Sequence, residues 1–331
     1  MATPKAPYDP EMMGTLLASN ALPPNGPPPP PTKETIADRR KLTTMWDAKY
    51  DDPSLSREDL TIPGPDGNTI ELTIVKPNTP ASGPRNAIYY IHGGGMILAT
   101  RHFMVQGMFP WVKSLDAVII TVEYRLAPEH PHPAPVEDCY AGLKWVTENS
   151  TKLGINNSRI MIAGHSAGGG LAAGTALLAR DRNLPVPLFA QFLIYPMLDD
   201  RTNTASCKQY MNEGTWPGKN NIVAWDWLLP SRDVPGLEYA APSRATNVSN
   251  LPQTYLDVGS ADLFRDEGVA YASKLWEQGV QAELHVWPGA YHGFDAWSPT
   301  SDLAKTADAA RTAWLKRIFI GPPPKAPAGL L

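Results

Sequence analysis

Gly164-His165-Ser166-Ala167-Gly168 sets a serine between two glycines at fixed spacing. The run from Arg159 to Ala163 before it reads as a strand, and the small residues after it read as a helix. A serine at such a junction occupies a sharp, strained turn that lifts its hydroxyl over the end of a sheet. Gly164 and Gly168 carry no Cβ to collide there. The five-residue pattern alone is common in ordinary turns. The flanking strand and helix make Ser166 the candidate nucleophile for acyl transfer. A serine alcohol holds its proton tightly at neutral pH, so it needs a base within reach and an acid that orients the base.

In this strand–serine–helix arrangement the acid and then the histidine follow the serine in the chain. Of seven histidines, His285 and His292 lie downstream. His285 sits in Gln281-Ala-Glu-Leu-His-Val-Trp287, a strand-like run, and reads as structural. His292 sits in the turn Pro288-Gly-Ala-Tyr-His-Gly-Phe294, where a loop imidazole can swing over the sheet edge; it is the candidate base. Asp262 closes the turn after the strand Gln253 to Val258 and is the candidate acid. Its expected task is to accept Nδ1–H of His292 and stabilise the imidazolium. Asp257 lies inside the strand, Asp266 and Glu267 open the next helix where carboxylates suit the positive dipole end, and Asp295 follows His292 too closely.

A second constellation lies upstream. Asn86 to Ile91 reads as a buried strand, followed at once by His92-Gly93-Gly94-Gly95. Successive glycines there can aim backbone N–H groups at a developing oxyanion, with the N–H of Ala167 as a further donor. A phosphate-cradling loop would need G-x-x-x-x-G-K-[ST], and a dinucleotide loop G-x-G-x-x-G; neither spacing is present.

Together with Ser260-Ala-Asp-Leu-Phe-Arg-Asp-Glu267, Tyr291-His-Gly-Phe294 and Glu123-Tyr-Arg-Leu-Ala-Pro-Glu-His130, these motifs resemble the hormone-sensitive lipase family of esterases over roughly residues 60 to 320. The resemblance implies an α/β-hydrolase fold, a helical cap and carboxylic ester hydrolysis. Carried over by motif, Ser166, Asp262 and His292 would be the triad, and Gly93, Gly94, Gly95 and Ala167 the oxyanion site. Arg125 and Glu129 fall in a stretch that is usually structural in that family. His165 stands where the family commonly has Asp, and Met96 where it often has an aromatic residue. These departures bear on substrate preference and pH profile. The nearest rivals are a lactonase or amidase with the same machinery; a different class is a silent receptor on the same fold.

The elements that must hold these residues alternate. Strands are expected at Ile70 to Lys76, Ala87 to Ile91, Ala117 to Glu123, Arg159 to Ala163, Phe189 to Tyr195, Gln253 to Val258 and Ala282 to Trp287. Helices are expected near 103–115, 136–149, 167–180, 266–278 and 302–318. Such alternation predicts a mostly parallel sheet with helices on both faces. No strand is due between Leu198 and about Asn250, where Trp216, Trp225 and Trp227 gather. That stretch and residues 1–60 are expected to form a cap over two core parts, 61–197 and 251–331. Its tryptophans suit either a substrate pocket or the cap's own core. Helical spacing through Ile36, Leu42, Met45 and Trp46 predicts a helix from Glu34 to Tyr50. The proline run Leu22 to Pro31 predicts a stiff, extended connector.

At 331 residues with a net charge of −4, the chain can bury a large core and shows no basic run for nucleic acid. Cys139 and Cys207 are too few for a disulfide framework. No apolar signal core or transmembrane run is visible, so a cytoplasmic protein is expected. His130-Pro-His132 is a poor metal pair, and neither cofactor nor metal is expected. The expected partner is a small-molecule ester. The sequence leaves the oligomer open, a homodimer included.

Overall fold

A computed structural model describes residues 4–22 and 26–321. The strands are β1 Leu55–Pro63, β2 Thr69–Pro77, β3 Arg85–Ile91, β4 Ala117–Val122, β5 Ile155–His165, β6 Ala190–Ile194, β7 Gln253–Gly259 and β8 Ala282–Trp287. They form one sheet in the order β1-β2-β4-β3-β5-β6-β7-β8. β2 pairs antiparallel with both β1 and β4, and every pairing from β4 to β8 is parallel. Parallel strands need crossovers, here supplied by helices such as Ala134–Glu148, Ala167–Asp181 and Arg265–Glu277. With helices on both faces the central strands are largely shielded from water. Every residue of β4 and β6 is accordingly buried, which is why their sequences are nearly unbroken apolar runs.

The helix Ala167–Asp181 lies deep in the molecule, with thirteen residues buried, because its glycines and alanines let neighbouring backbone approach from several sides. The final helix, Asp302–Phe319, is tied down by Arg311. Its guanidinium donates to Asp257 Oδ2 (2.7 Å) on β7 and also pairs with Asp295. Asp257 therefore has the structural role its mid-strand position suggested.

Two local expectations differ from the structure. β1 begins at Leu55, so the end of the 1–60 segment belongs to the sheet. Its sequence, Leu-Ser-Arg-Glu-Asp-Leu-Thr-Ile-Pro, is charged because it is an edge strand with most side chains in water, and it carries little apolar alternation. The predicted helix over Glu34 to Tyr50 is a helix only at Ile36–Thr43, followed by a 3₁₀ turn at Thr44–Trp46. Beyond it the chain turns extended, with Asp47 bridging to Phe103 and Ala48 N–H donating to His102 O (2.9 Å). Leu42 and Met45 are exposed, so the apolar spacing there does not mark a core face. Between β6 and β7 the chain forms short helices, Ala205–Gln209, Gly218–Leu228 and Leu237–Ala240, and no strand. Of the proline run, residues 23–25 lie outside the described residues, and 26–31 are neither helix nor strand. Residues 322–331 also lie outside.

Candidate active site

Ser166 has φ 57° and ψ −124°, a conformation that non-glycine residues rarely adopt and that costs on the order of 1–3 kcal/mol. Backbone bonds on both sides hold it there. Its N–H donates to Ile194 O (2.9 Å), and its carbonyl accepts from Met197 N–H (2.9 Å) and Gly170 N–H (3.1 Å). The turn closes only because its flanks are glycine. A Cβ on Gly164 would stand 2.1 Å from Gly168 O, and one on Gly168 2.1 Å from Ile91 O.

His292 and Asp262 come to this serine from two separate loops. The turn after β8 brings His292 Nε2 to 2.9 Å from Ser166 Oγ. The turn after β7 brings Asp262 Oδ2 to 2.9 Å from His292 Nδ1. Asp262 is fully buried, and its other oxygen accepts Phe264 N–H at 2.9 Å, so the carboxylate cannot rotate away. Because Asp262 accepts at Nδ1, that nitrogen carries the hydrogen and Nε2 presents its lone pair to the serine hydroxyl. The imidazole is braced edge-on by Tyr195 (4.9 Å between ring centres) and Phe264 (5.0 Å). Thr215, on the segment between β6 and β7, donates its hydroxyl to His292 O.

Gly93, Gly94 and Gly95 line the same cavity as Ser166 and His292. Their N–H groups and that of Ala167, the first residue of its helix, donate to no backbone carbonyl among the described residues. Just before them, buried His92 stacks on Tyr124, and its Nδ1 lies 2.8 Å from Gly93 O, which pins the loop from within. Burial holds that imidazole down to about 3, so it is neutral.

The cavity over Ser166 measures about 180 Å³. Trp46, Phe103, Tyr195, Trp216 and Trp297 supply its aromatic wall, and no acidic, Lys or Arg side chain lines it among the described residues. Trp216 thus belongs to the pocket, whereas Trp225 is fully buried and Trp227 packs partly buried against the core. The two roles open to the tryptophans are divided among them. Trp46 and Trp297 pack together at 5.0 Å across the cavity rim. Neither was singled out as a pocket residue from sequence, because neither belongs to a motif and only folding brings residues 46 and 297 together.

The other candidates fall away from the reaction centre. His285 stacks on Trp287 and bonds Glu283. Asp266 pairs with Arg265 and accepts Ser206 N–H. Glu267 is buried and receives the N–H of Leu198 (2.7 Å) and Asp199 (3.3 Å). Asp295 accepts from Tyr195 Oη (2.9 Å). Burial alone would raise its pKa, but Arg311, His165 and Tyr195 outweigh that and hold it below the usual carboxylate value. Arg125 is bound to Asp138 and Asp66, and Glu129 to Arg40. Met96 is buried with φ 61°. Both cysteines are buried free thiols. Among the described residues no cluster of three or more His, Cys, Asp or Glu could hold a metal, and no helix is long and apolar enough to cross a membrane.

Comparison with known proteins places this arrangement in a family. A family model described as alpha/beta hydrolase fold matches residues 88–296. Esterase LipI of Mycobacterium tuberculosis is 33% identical over 256 residues, spanning 77% of this chain and 80% of its own. Carboxylesterase NlhH of the same organism is 34% identical over 275 residues, spanning 80% and 83%. Among solved structures, Bacterial Heroin Esterase matches with a TM-score of 0.83 at 35% identity, covering 94% of this chain and 97% of that one. The chain belongs to the alpha/beta hydrolase fold family, in its hormone-sensitive lipase-like group. Within that group it is a carboxylic ester hydrolase.

Proposed function

We propose that this enzyme cleaves short- to medium-chain carboxylic esters through a covalent acyl-serine intermediate. The reading rests on the imidazole of His292, 2.9 Å from Ser166 Oγ on one side and 2.9 Å from Asp262 on the other. Ser166 Oγ attacks the ester carbonyl carbon as His292 Nε2 takes its proton. The carbonyl oxygen becomes negative beside the N–H groups of Gly93–Gly95 and Ala167. The imidazolium, steadied by Asp262, then gives its proton to the departing alcohol oxygen as the C–O bond breaks. Water enters, loses a proton to His292 and attacks the acyl carbon; release of the acid returns the proton to Ser166.

A cavity of about 180 Å³ with aromatic walls suits a small apolar acyl or alcohol group. The described residues before β1, together with 198–250, serve as the cap, since Thr43, Trp46, Thr215 and Trp216 bring walls to the cavity from those two segments. Release of nitrophenol from nitrophenyl butyrate tests the mechanism. Ser166→Ala is expected to cut kcat by about 10⁶, as removal of a triad serine does elsewhere. Retained turnover in a folded Ser166→Ala protein overturns this assignment. Comparing linear esters with lactones and anilides decides between an esterase and a lactonase or amidase.

A further inference from the structure

The proposed reaction uses one imidazole and leaves a second, His165, beside the nucleophile without a task. His165 stands in an unusual place. A hollow of about 800 Å³ adjoins the cavity over Ser166, and the two share Trp46, Met104, His165 and Ala296 as a common wall. His165 is the one ionisable side chain of those four. The cavity over Ser166 is mostly apolar, whereas the adjoining hollow also meets Asp47, Asp308 and Lys305.

The hydrogen-bond network assigns the ring's tautomer. Tyr90 Oη lies 3.3 Å from Phe103 O, which can only accept, so the phenol gives its single proton there. His165 Nδ1 lies 3.1 Å from the same phenol oxygen. Both contacts are satisfied together when Nδ1 carries a hydrogen and donates it, which leaves the lone pair on Nε2. That nitrogen bonds no described residue. The side chain that carries it lines both cavities. The rings of Tyr90 (5.4 Å) and Tyr195 (5.7 Å) hold the imidazole in place. Burial, helped by Arg311 and His292 and opposed by Asp295, lowers its pKa to about 4, so it is an uncharged acceptor at neutral pH.

Taking Ser166 as the nucleophile, we infer that His165 Nε2 is a specificity-determining acceptor: it receives a hydroxyl or amide N–H carried by the substrate near the ester group, and the rest of that substituent continues into the adjoining hollow. A donor placed in this cavity finds few other partners, so one such bond separates related esters by about 10-fold.

The test compares kcat/KM on nitrophenyl esters of 3-hydroxybutyrate, 3-methoxybutyrate and butyrate, with a matching series that carries the hydroxyl or methoxy group on the alcohol side. In the wild type, the hydroxyl-to-methoxy ratio in at least one series is expected to be on the order of 10. In His165→Phe that ratio is expected to fall toward one. A wild-type ratio at or below one in both series overturns the proposal and needs no folded variant. So does an unchanged ratio in His165→Phe. Turnover of butyrate by Ser166→Ala tests the nucleophile separately, so a flat ratio in an otherwise active enzyme counts against His165 alone.

Discussion

At the scale of single residues, the site is a set of groups held in states they would not choose in water. Ser166 keeps a strained backbone because three main-chain bonds and two flanking glycines leave it no alternative. His165 is kept neutral by burial, and that has a consequence for stability. Its folded pKa of about 4 lies below the ordinary 6.5. Between those values the unfolded chain binds more protons than the native protein, so stability must rise with pH through that window and be lost as pH falls from 6.5 toward 4. The shift corresponds to about 3 kcal/mol at most. Urea midpoints measured from pH 4 to 6.5 are therefore expected to climb more steeply in the wild type than in His165→Phe. Equal slopes would mean that the imbalance in proton binding has another source.

At the scale of elements, the site is an assembly of strand ends. β3 delivers Gly93–Gly95, β5 Ser166, β7 Asp262 and β8 His292, each from the turn that follows its strand. The parallel register brings these turns to one edge of the sheet. The segment between β6 and β7 then reaches down onto them. Thr215 holds His292 O, while Gly214 N–H donates to Ala21 O (2.8 Å) of the N-terminal segment, so both outer segments are strapped to the His292 loop. Thr215→Val keeps the shape and removes the bond. It is expected to lower kcat about 10- to 100-fold with little change in KM, because small misplacements of a base are costly. Thr215→Ser should restore it. A KM effect without a kcat effect would show that Thr215 shapes the pocket and does not hold the base.

At the scale of the whole molecule, the last long helix secures the sheet beneath the site. Arg311 is 3% exposed and lies between Asp257 of β7 and Asp295, three residues beyond His292. A cation so enclosed adds little net stability over an apolar replacement of all three groups. Deleting it alone, however, leaves buried Asp257 and part-buried Asp295 without their cation. Arg311→Met is expected to cost about 3–5 kcal/mol in urea unfolding. A loss below 1 kcal/mol would mean that water or local rearrangement compensates those charges.

The chain itself determined the alternation of strands and helices and the sharp turn at Ser166, because buried parallel strands and a glycine-flanked serine leave strong local marks at Arg159–Ala163 and Gly164–Gly168. It also carried Asp262 and His292, since turns after strands must lie at the sheet edge. It did not reveal β1, whose charged edge residues lack alternation, nor the end of the helix at Thr43, which is set by pairing with Phe103. Only the tertiary structure decided that Trp46, Trp216 and Trp297 share one cavity while Trp225 is core, and that His165 lies in the wall of two hollows. Local sequence encodes backbone conformation within a few residues, whereas a pocket wall is drawn from segments whose separation in the chain carries no periodic signal.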